Sequence, residues 1–278
     1  MDIWGESEGS PFIFVRVKVE YIKHITLNLA LVSYYILAFI FGLVVGSFLN
    51  VCIYRIPRRK SLYRGRSFCP DCFKEIAWYD NIPAVSYIIL HGRCRKCGSR
   101  ISPRYVLVEL ITALMFLVVI INFGLSWDTL KYAIFITFLV TVSFIDIEHR
   151  IIPNVLNLTF FIIAISFIVI FDRNIWFEFL ISLGIVGGFL LILALVFPKG
   201  MGMGDAKFMA VCGLFLGYPS IVALFLGFLT GAIYGLFIIA IRKKNMKEKV
   251  SFGPFIALGC AIAIFFGDHL IRLYLSAF

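Results

Sequence analysis

Charged side chains are scarce in this sequence, and carboxylates are scarcer than basic groups. Only 15% of the 278 residues are charged; 16 are Asp or Glu and 4 are His. A soluble globular domain carries about 25% charged residues, so the composition excludes an ordinary soluble domain. Hydrophobic residues make up 61% of the chain, and the mean hydropathy is +0.97. This balance indicates a polytopic membrane protein, in which each carboxylate at membrane depth needs an explanation.

The hydrophobic residues occur in long runs. A membrane-spanning helix needs about 20 largely apolar residues. Eight candidate stretches are present, near 30–52, 105–122, 131–146, 155–171, 175–197, 205–218, 219–241 and 252–276. The sixth is short, and only Tyr218-Pro219 separates it from the seventh. We therefore expect an all-α polytopic membrane protein with about eight transmembrane helices.

The start of the chain lacks the pattern of a signal peptide. Residues 1–28 have no basic start, uninterrupted apolar core and small-residue cleavage site, so we expect no cleaved signal. We expect residues 1–28 to be an N-terminal tail or interfacial segment and residues 29–53 to be the first transmembrane helix. Neither an internal repeat nor a low-complexity run is visible in the sequence.

Basic residues are concentrated in loops that eight spans would place on one side of the membrane. The formal net charge is +10. Twelve Lys or Arg lie in residues 55–104 and five in residues 242–249, whereas the loops near 123–130 and 172–174 have almost none. The positive-inside rule puts the basic loops in the cytoplasm and both termini outside. This distribution is an orientation signal that also suits contact with anionic membrane lipid, and it argues against nucleic acid as a partner.

The seven cysteines form two groups. Three are single, in or beside apolar spans, and are expected to be small buried hydrophobic residues: Cys52, Cys212 and Cys260. The other four form the pairs CPDC and CRKC, with 21 residues between the pairs: Cys69, Cys72, Cys94 and Cys97. Two such pairs predict a closed tetrahedral Zn²⁺ site that is structural and gives a small cytoplasmic insert, residues 54–104, its shape.

A redox pair or disulfide bonds are the alternatives for these four cysteines. Cytoplasmic placement argues against stable disulfides, and two matched pairs favour a metal over thiol exchange. His91 lies just before the second pair and is expected to be a bystander.

Two carboxylates stand out among the acidic residues. Asp146 closes the third predicted span and Asp205 opens the sixth. Two spans separate them, so both lie at the same, cytoplasmic membrane face. Two carboxylates in a poorly solvated cleft do not both ionise readily, so one stays charged while the other keeps its proton. A pair of this kind activates water and protonates the attacked carbonyl, as in aspartic proteases.

The segment before Asp205 is rich in glycine, with a lysine just after it. Gly202 and Gly204 are expected to adopt unusual dihedral angles and to let a substrate strand lie close to Asp205. Lys207 either stabilises the ionised carboxylate or marks the cytoplasmic boundary. Helix capping is the alternative role of Asp205, whereas a negative charge at a helix C-terminus, as at Asp146, opposes the helix dipole.

Four motifs in order resemble one family, the type IV prepilin peptidases among the G-x-G-D membrane aspartyl proteases. They are FGLVVGSFLNVCIYRIPR (41–58), the cysteine-bearing segment from CPDC to LVE (69–109), DIEHRIIPN from Asp146, and GMGMGDAKF. The resemblance covers the chain from about residue 35 to the eighth span. It implies that residues 105–278 are membrane-embedded aspartyl peptidase helices, with Asp146 and Asp205 as the catalytic pair and the four paired cysteines as metal ligands.

The resemblance implies two activities in the bacterial cytoplasmic (inner) membrane. The enzyme would cut the basic leader from prepilins or pseudopilins and methylate the new N-terminal amine with S-adenosylmethionine. Shorter relatives that only cut lack the segment around 41–109. The sequence has no strand followed by G-x-G-x-x-G, so no residue is assigned to the methyl donor, and the oligomeric state stays open. Two other functions remain: a transporter or channel with the aspartates as proton sites, and a membrane scaffold with a zinc module.

Overall fold

The computed structural model describes residues 11–62, 65, 67–198, 200–242 and 251–276. Within them the chain is helical, and its only sheet-like pairings are the isolated bridges Phe68–Glu75 and Arg93–Arg100. The α-helices are α1 (Pro11–Arg55), α2 (Val85–Ile89), α3 (Arg104–Phe123), α4 (Trp127–His149), α5 (Asn154–Ile170), α6 (Trp176–Ser182), α7 (Gly188–Val196), α8 (Met203–Leu216), α9 (Pro219–Arg242) and α10 (Gly253–Ser276). The expected all-α class is confirmed.

Each of the eight apolar stretches forms helix. Among the described residues, six helical segments are long and apolar enough to cross a membrane: Leu31–Arg55, Arg104–Phe123, Trp127–His149, Trp176–Val196, Pro219–Ala240 and Gly253–Ser276. The other two stretches form the shorter helices α5 and α8. The break predicted at Tyr218-Pro219 is present, since α8 ends before Gly217 (φ 65°) and α9 begins at Pro219.

The N-terminal helix is longer than one membrane span. Residues 1–10 of the expected tail lie outside the described part of the chain, while α1 is continuous from Pro11 to Arg55. Its apolar part packs along α3 at two glycines. A Cβ on Gly42 would lie 2.6 Å from the Cα of Ala113, and one on Gly46 would lie 2.6 Å from the Cα of Glu109. Small residues let two membrane helices approach closely, so this pair forms one tightly packed unit.

The core joins α4, α8 and α10. Phe135 stacks on Phe215 with ring centroids 4.7 Å apart, and Phe138 contacts Phe208 edge-on at 5.1 Å. Earlier residues of α4 therefore pair with later residues of α8, so the two helices run antiparallel. This arrangement brings the C-terminal end of α4 to the N-terminal end of α8.

Candidate active site and metal centre

Asp146 lies in the last turn of α4 and is held by the start of α10. Its side chain is buried, with 5% exposed, and its Oδ2 accepts a hydrogen bond from the backbone N–H of Gly253 at 3.0 Å. A Cβ on Gly253 would lie 2.8 Å from that oxygen, so only glycine permits this approach. The positive end of the α10 dipole offsets the unfavourable position of Asp146 at the C-terminus of α4.

The end of α4 is fixed by backbone geometry. Arg150 adopts the left-handed conformation (φ 53°), and its N–H donates to the carbonyl of Asp146 at 2.9 Å. Pro153 follows and precedes α5. The helix therefore ends just after Asp146, the residue that closes the third predicted span, and the chain turns back at this end of the bundle.

Asp205 is the third residue of α8 and is half-buried. Its Oδ2 accepts the backbone N–H of Gly202 at 3.2 Å, which is the capping interaction that the sequence allowed. The expectation of unusual glycine dihedrals is wrong: Gly202 is extended (φ −86°, ψ 144°), and Gly204 has no positive φ. Gly204 instead packs closely on Ile152, since a Cβ there would lie 3.3 Å from the Cβ of Ile152.

The two aspartates come to the same end of the bundle. Asp146 is at the C-terminal end of α4 and Asp205 at the N-terminal end of the antiparallel α8. The two carboxyl groups are close enough for the charge of Asp146 to act on Asp205. A water-activating pair of carboxylates needs this proximity.

Lys207 bonds away from the two aspartates. It is exposed, and its Nζ donates to Oδ1 of Asn154, the first residue of α5, at 3.0 Å. The contact ties the start of α8 to the start of α5. This contact gives Lys207 a third role, beyond the two considered from the sequence. It holds together the two helix ends that flank the candidate site.

The four paired cysteines form one cluster. Their Sγ atoms all lie within 4.8 Å of one another, and those of Cys69 and Cys97 are 3.8 Å apart. Four thiolates at Zn–S distances of about 2.3 Å in a tetrahedron are about 3.8 Å apart, so the set fits this ion. His91 is outside the cluster, as expected.

Both cysteine turns close in the same way. The backbone N–H of Cys69 donates to the carbonyl of Lys74, and that of Cys94 donates to the carbonyl of Ser99. The fifth residue of each turn has a positive φ, at Phe73 (56°) and Gly98 (73°). This matched geometry turns both thiols of each pair toward a common point.

The Cys69 thiol is prepared to bind a cation. Burial raises its pKa, but hydrogen bonds from the backbone N–H of Cys72 and from the hydroxyl of Ser99 outweigh burial and lower the pKa to about 6. The thiolate is the form that binds metal. The three single cysteines, in contrast, are buried as expected: Cys52, Cys212 and Cys260.

One polar contact joins this region to α3, and a second joins α3 to α4 nearby. The Glu109 carboxylate of α3, 7% exposed, accepts the backbone N–H of Ala84 at 2.8 Å. Arg104, at the start of α3, forms an ion pair with Glu148 of α4. Sequence reasoning gave no role to Glu109 or Gly253. The sequence signals that could have identified them are that Glu109 is a carboxylate inside an apolar span and that Gly253 precedes a proline at the start of one.

Comparison with known proteins identifies relatives over most of the chain. Residues 40–123 match the model of the bacterial peptidase A24 N-terminal domain, and residues 133–236 match that of the type IV leader peptidase family. Relatives named prepilin leader peptidase/N-methyltransferase include those of Aeromonas salmonicida (strain A449; 34% identity, 87% of this chain, 94% of the relative) and Bacillus subtilis (strain 168; 34%, 86% and 96%).

A third relative with the same name, from Pseudomonas aeruginosa, is 32% identical over 84% of this chain and 91% of its own length. No solved structure matches this chain. The two family models separate the metal centre from the aspartates. The cysteine cluster and Glu109 fall in the first matched range, and both aspartates fall in the second. The chain therefore belongs to the type IV leader peptidase family.

Proposed function

We propose that this protein is a membrane aspartyl endopeptidase and N-methyltransferase. It cleaves the leader peptide of type IV prepilins or pseudopilins and methylates the new N-terminus. The observation that carries the proposal is the placement of Asp146 and Asp205 at one end of the antiparallel helices α4 and α8, in a member of this family.

The two aspartates divide the roles of base and acid. Each accepts one backbone N–H, from Gly253 and from Gly202 respectively. With one proton between them, the charged carboxylate takes a proton from the attacking water and the neutral one donates to the carbonyl of the scissile peptide. Neither a metal ion nor a covalent intermediate is required for this step.

Zn²⁺ is the metal that the four cysteines would hold. A closed set of four thiolates leaves no open coordination position, so its role is structural. Among the described residues between α1 and α3, the only helical segments of the insert are a short 3₁₀ turn, Trp78–Asn81, and the five-residue α2. Metal binding would supply folding energy that this segment cannot draw from a core of its own.

S-adenosylmethionine is the methyl donor of the second activity, and when bound it supplies a methyl group on a positively charged sulfur. The new N-terminal amine becomes the acceptor once the leader is cut. Both activities thus act on the same end of one substrate, in sequence.

We place the protein in the bacterial cytoplasmic membrane, with the metal insert and the aspartates on the cytoplasmic side. The basic loops support this orientation through the positive-inside rule and suit contact with anionic lipid. The prepilin leader and this face are both basic, so long-range attraction does not recruit the substrate. Packing of the apolar substrate helix among the membrane helices, residues 105–278, supplies recognition instead.

A transporter is not favoured by the position of the aspartates. Proton sites of transporters lie near the middle of the membrane, whereas Asp146 is in the last turn of α4 and Asp205 in the first turn of α8. A scaffold alone does not account for the two activities in the name of the relatives.

The proposed function is tested by mixing the purified protein with a labelled prepilin, with and without S-adenosylmethionine. We expect loss of the leader in both mixtures and a single added methyl group only when the donor is present, as measured by intact-mass spectrometry. An uncut prepilin would refute the peptidase, and a cut but unmethylated product would refute the methyltransferase.

A further inference from the structure

A cleft of about 510 Å³ lies between the cysteine-bearing insert, α1 and α3. We call it the insert cleft. Its lining includes Asn50, Tyr54, Arg104, Tyr105, Glu109 and Glu148. Small-molecule sites in proteins have volumes of about 300–1,000 Å³ and combine apolar walls with a few polar groups. The insert cleft therefore has the size of a cofactor site.

Two buried polar atoms of the insert cleft have no hydrogen-bond partner within the described chain. They are Oδ1 of Asn50, an acceptor, and Nε of Arg104, a donor. Asn50 is 4% exposed, and its Nδ2 donates to the carbonyl of Tyr105 at 2.9 Å, which fixes the amide. Buried polar groups are nearly always paired in native proteins. A ligand that carries both donors and acceptors would satisfy these two atoms.

The insert cleft carries groups of both charges, with seven Lys or Arg and five Asp or Glu in its lining, so it suits a ligand that also carries both. Glu109 contributes a carboxylate that is almost fully buried and has no basic partner within 4.0 Å in the described chain. A buried carboxylate favours a cation beside it, and guanidinium groups favour a carboxylate. S-adenosylmethionine combines a sulfonium cation with an ammonium, a carboxylate and an aromatic base.

The position of the insert cleft fits the second activity. Apart from Glu148, its lining lies within residues 47–109, inside the range matched by the N-terminal domain model. Glu148, two residues beyond Asp146, puts one edge of the insert cleft at the C-terminal end of α4. We propose that the insert cleft binds S-adenosylmethionine, with Asn50 and Glu109 among its contacts, an inference that rests on the proposed methyltransferase function.

Equilibrium binding to the full-length protein in detergent tests this proposal. The titrants are S-adenosylmethionine and S-adenosylhomocysteine, measured by calorimetry without prepilin. We expect Asn50→Ala to weaken the binding of both titrants at least about 10-fold. Glu109→Gln keeps an oxygen for the N–H of Ala84. It is expected to weaken binding of S-adenosylmethionine at least about 10-fold, and binding of S-adenosylhomocysteine, whose sulfur carries no charge, by less. Asn157→Ala is the matched control, since Asn157 is also a buried, unpartnered amide but lies outside the cleft lining.

Folding of each variant is checked by its metal content and melting temperature. If either cleft variant fails to fold, ultraviolet cross-linking of labelled S-adenosylmethionine to the wild-type protein, followed by peptide mapping, replaces it. The proposal expects label on peptides from residues 47–109. Wild-type affinity in both cleft variants, no binding by the wild-type protein, or label confined to other peptides would overturn it. The proposed methyltransferase function is tested separately, by whether the wild-type protein methylates the cut pilin.

Discussion

Replacement of Asp146 or Asp205 by Asn is expected to slow leader cleavage by roughly 10²- to 10⁴-fold, the range that general acid–base catalysis contributes. An amide neither shares the proton nor takes one from water. Its oxygen still accepts the N–H of Gly253 or Gly202, so the local contacts persist. The measurement is the initial rate of cleavage of a purified prepilin, followed by mass spectrometry.

Asp268→Asn is the control for this experiment. Asp268 is exposed on α10, the helix whose first residue holds Asp146, and it is not part of the pair. The Asp268→Asn variant should cleave the prepilin at the wild-type rate. Wild-type rates in Asp146→Asn or Asp205→Asn would remove that residue from the catalytic pair, and a comparable loss in Asp268→Asn would show that the effect is not specific.

Removal of one cysteine of the cluster is expected to abolish metal binding and loosen the insert. Cys94→Ser leaves three thiolates, too few for a closed structural site. Zinc binding in small domains supplies an apparent free energy of about 10–16 kcal/mol at neutral pH, so its loss outweighs the other contacts of this segment. We expect about one Zn²⁺ per wild-type chain by elemental analysis, none in Cys94→Ser, and rapid proteolysis of the variant between residues 54 and 104.

Cys52→Ala separates metal loss from general damage. Cys52 is a buried cysteine of α1, outside the cluster. This variant should keep its metal and its protease resistance. A wild-type protein without metal, or a Cys94→Ser variant that retains a full equivalent, would contradict the assignment of the cluster.

Much of the fold could be predicted because membrane helices are set by the length of apolar runs. Each predicted stretch is helical, α4 ends shortly before Pro153, and α8 begins directly after the glycine at Gly202. The interruption of the fifth stretch could not be predicted. A π-helical turn, Leu183–Gly187, separates α6 from α7 there. A Cβ on Gly187 would lie 2.6 Å from the Cβ of Ala210 in α8, so packing against a distant helix accompanies the turn.

The site was predictable only in part. Counting spans places Asp146 and Asp205 at one face without any coordinates. The hydrogen bond between Asp146 and Gly253 joins residues 107 positions apart, and no local pattern encodes it. The sequence also shows where the glycines are, but not which structural role each one has. Gly204 packs closely on its neighbour and does not adopt unusual dihedral angles. Asn50 and Glu109 acquire meaning only when the insert and α3 enclose a common cleft.

The most direct test of the central claim is the cleavage rate of the double variant Asp146→Asn/Asp205→Asn beside the two single variants, under single-turnover conditions. Residues that act as one catalytic unit have strongly non-additive effects. We predict that the double variant is no slower than the slower single variant. Losses that multiply would mean that the two carboxylates act independently, and the paired mechanism would be wrong.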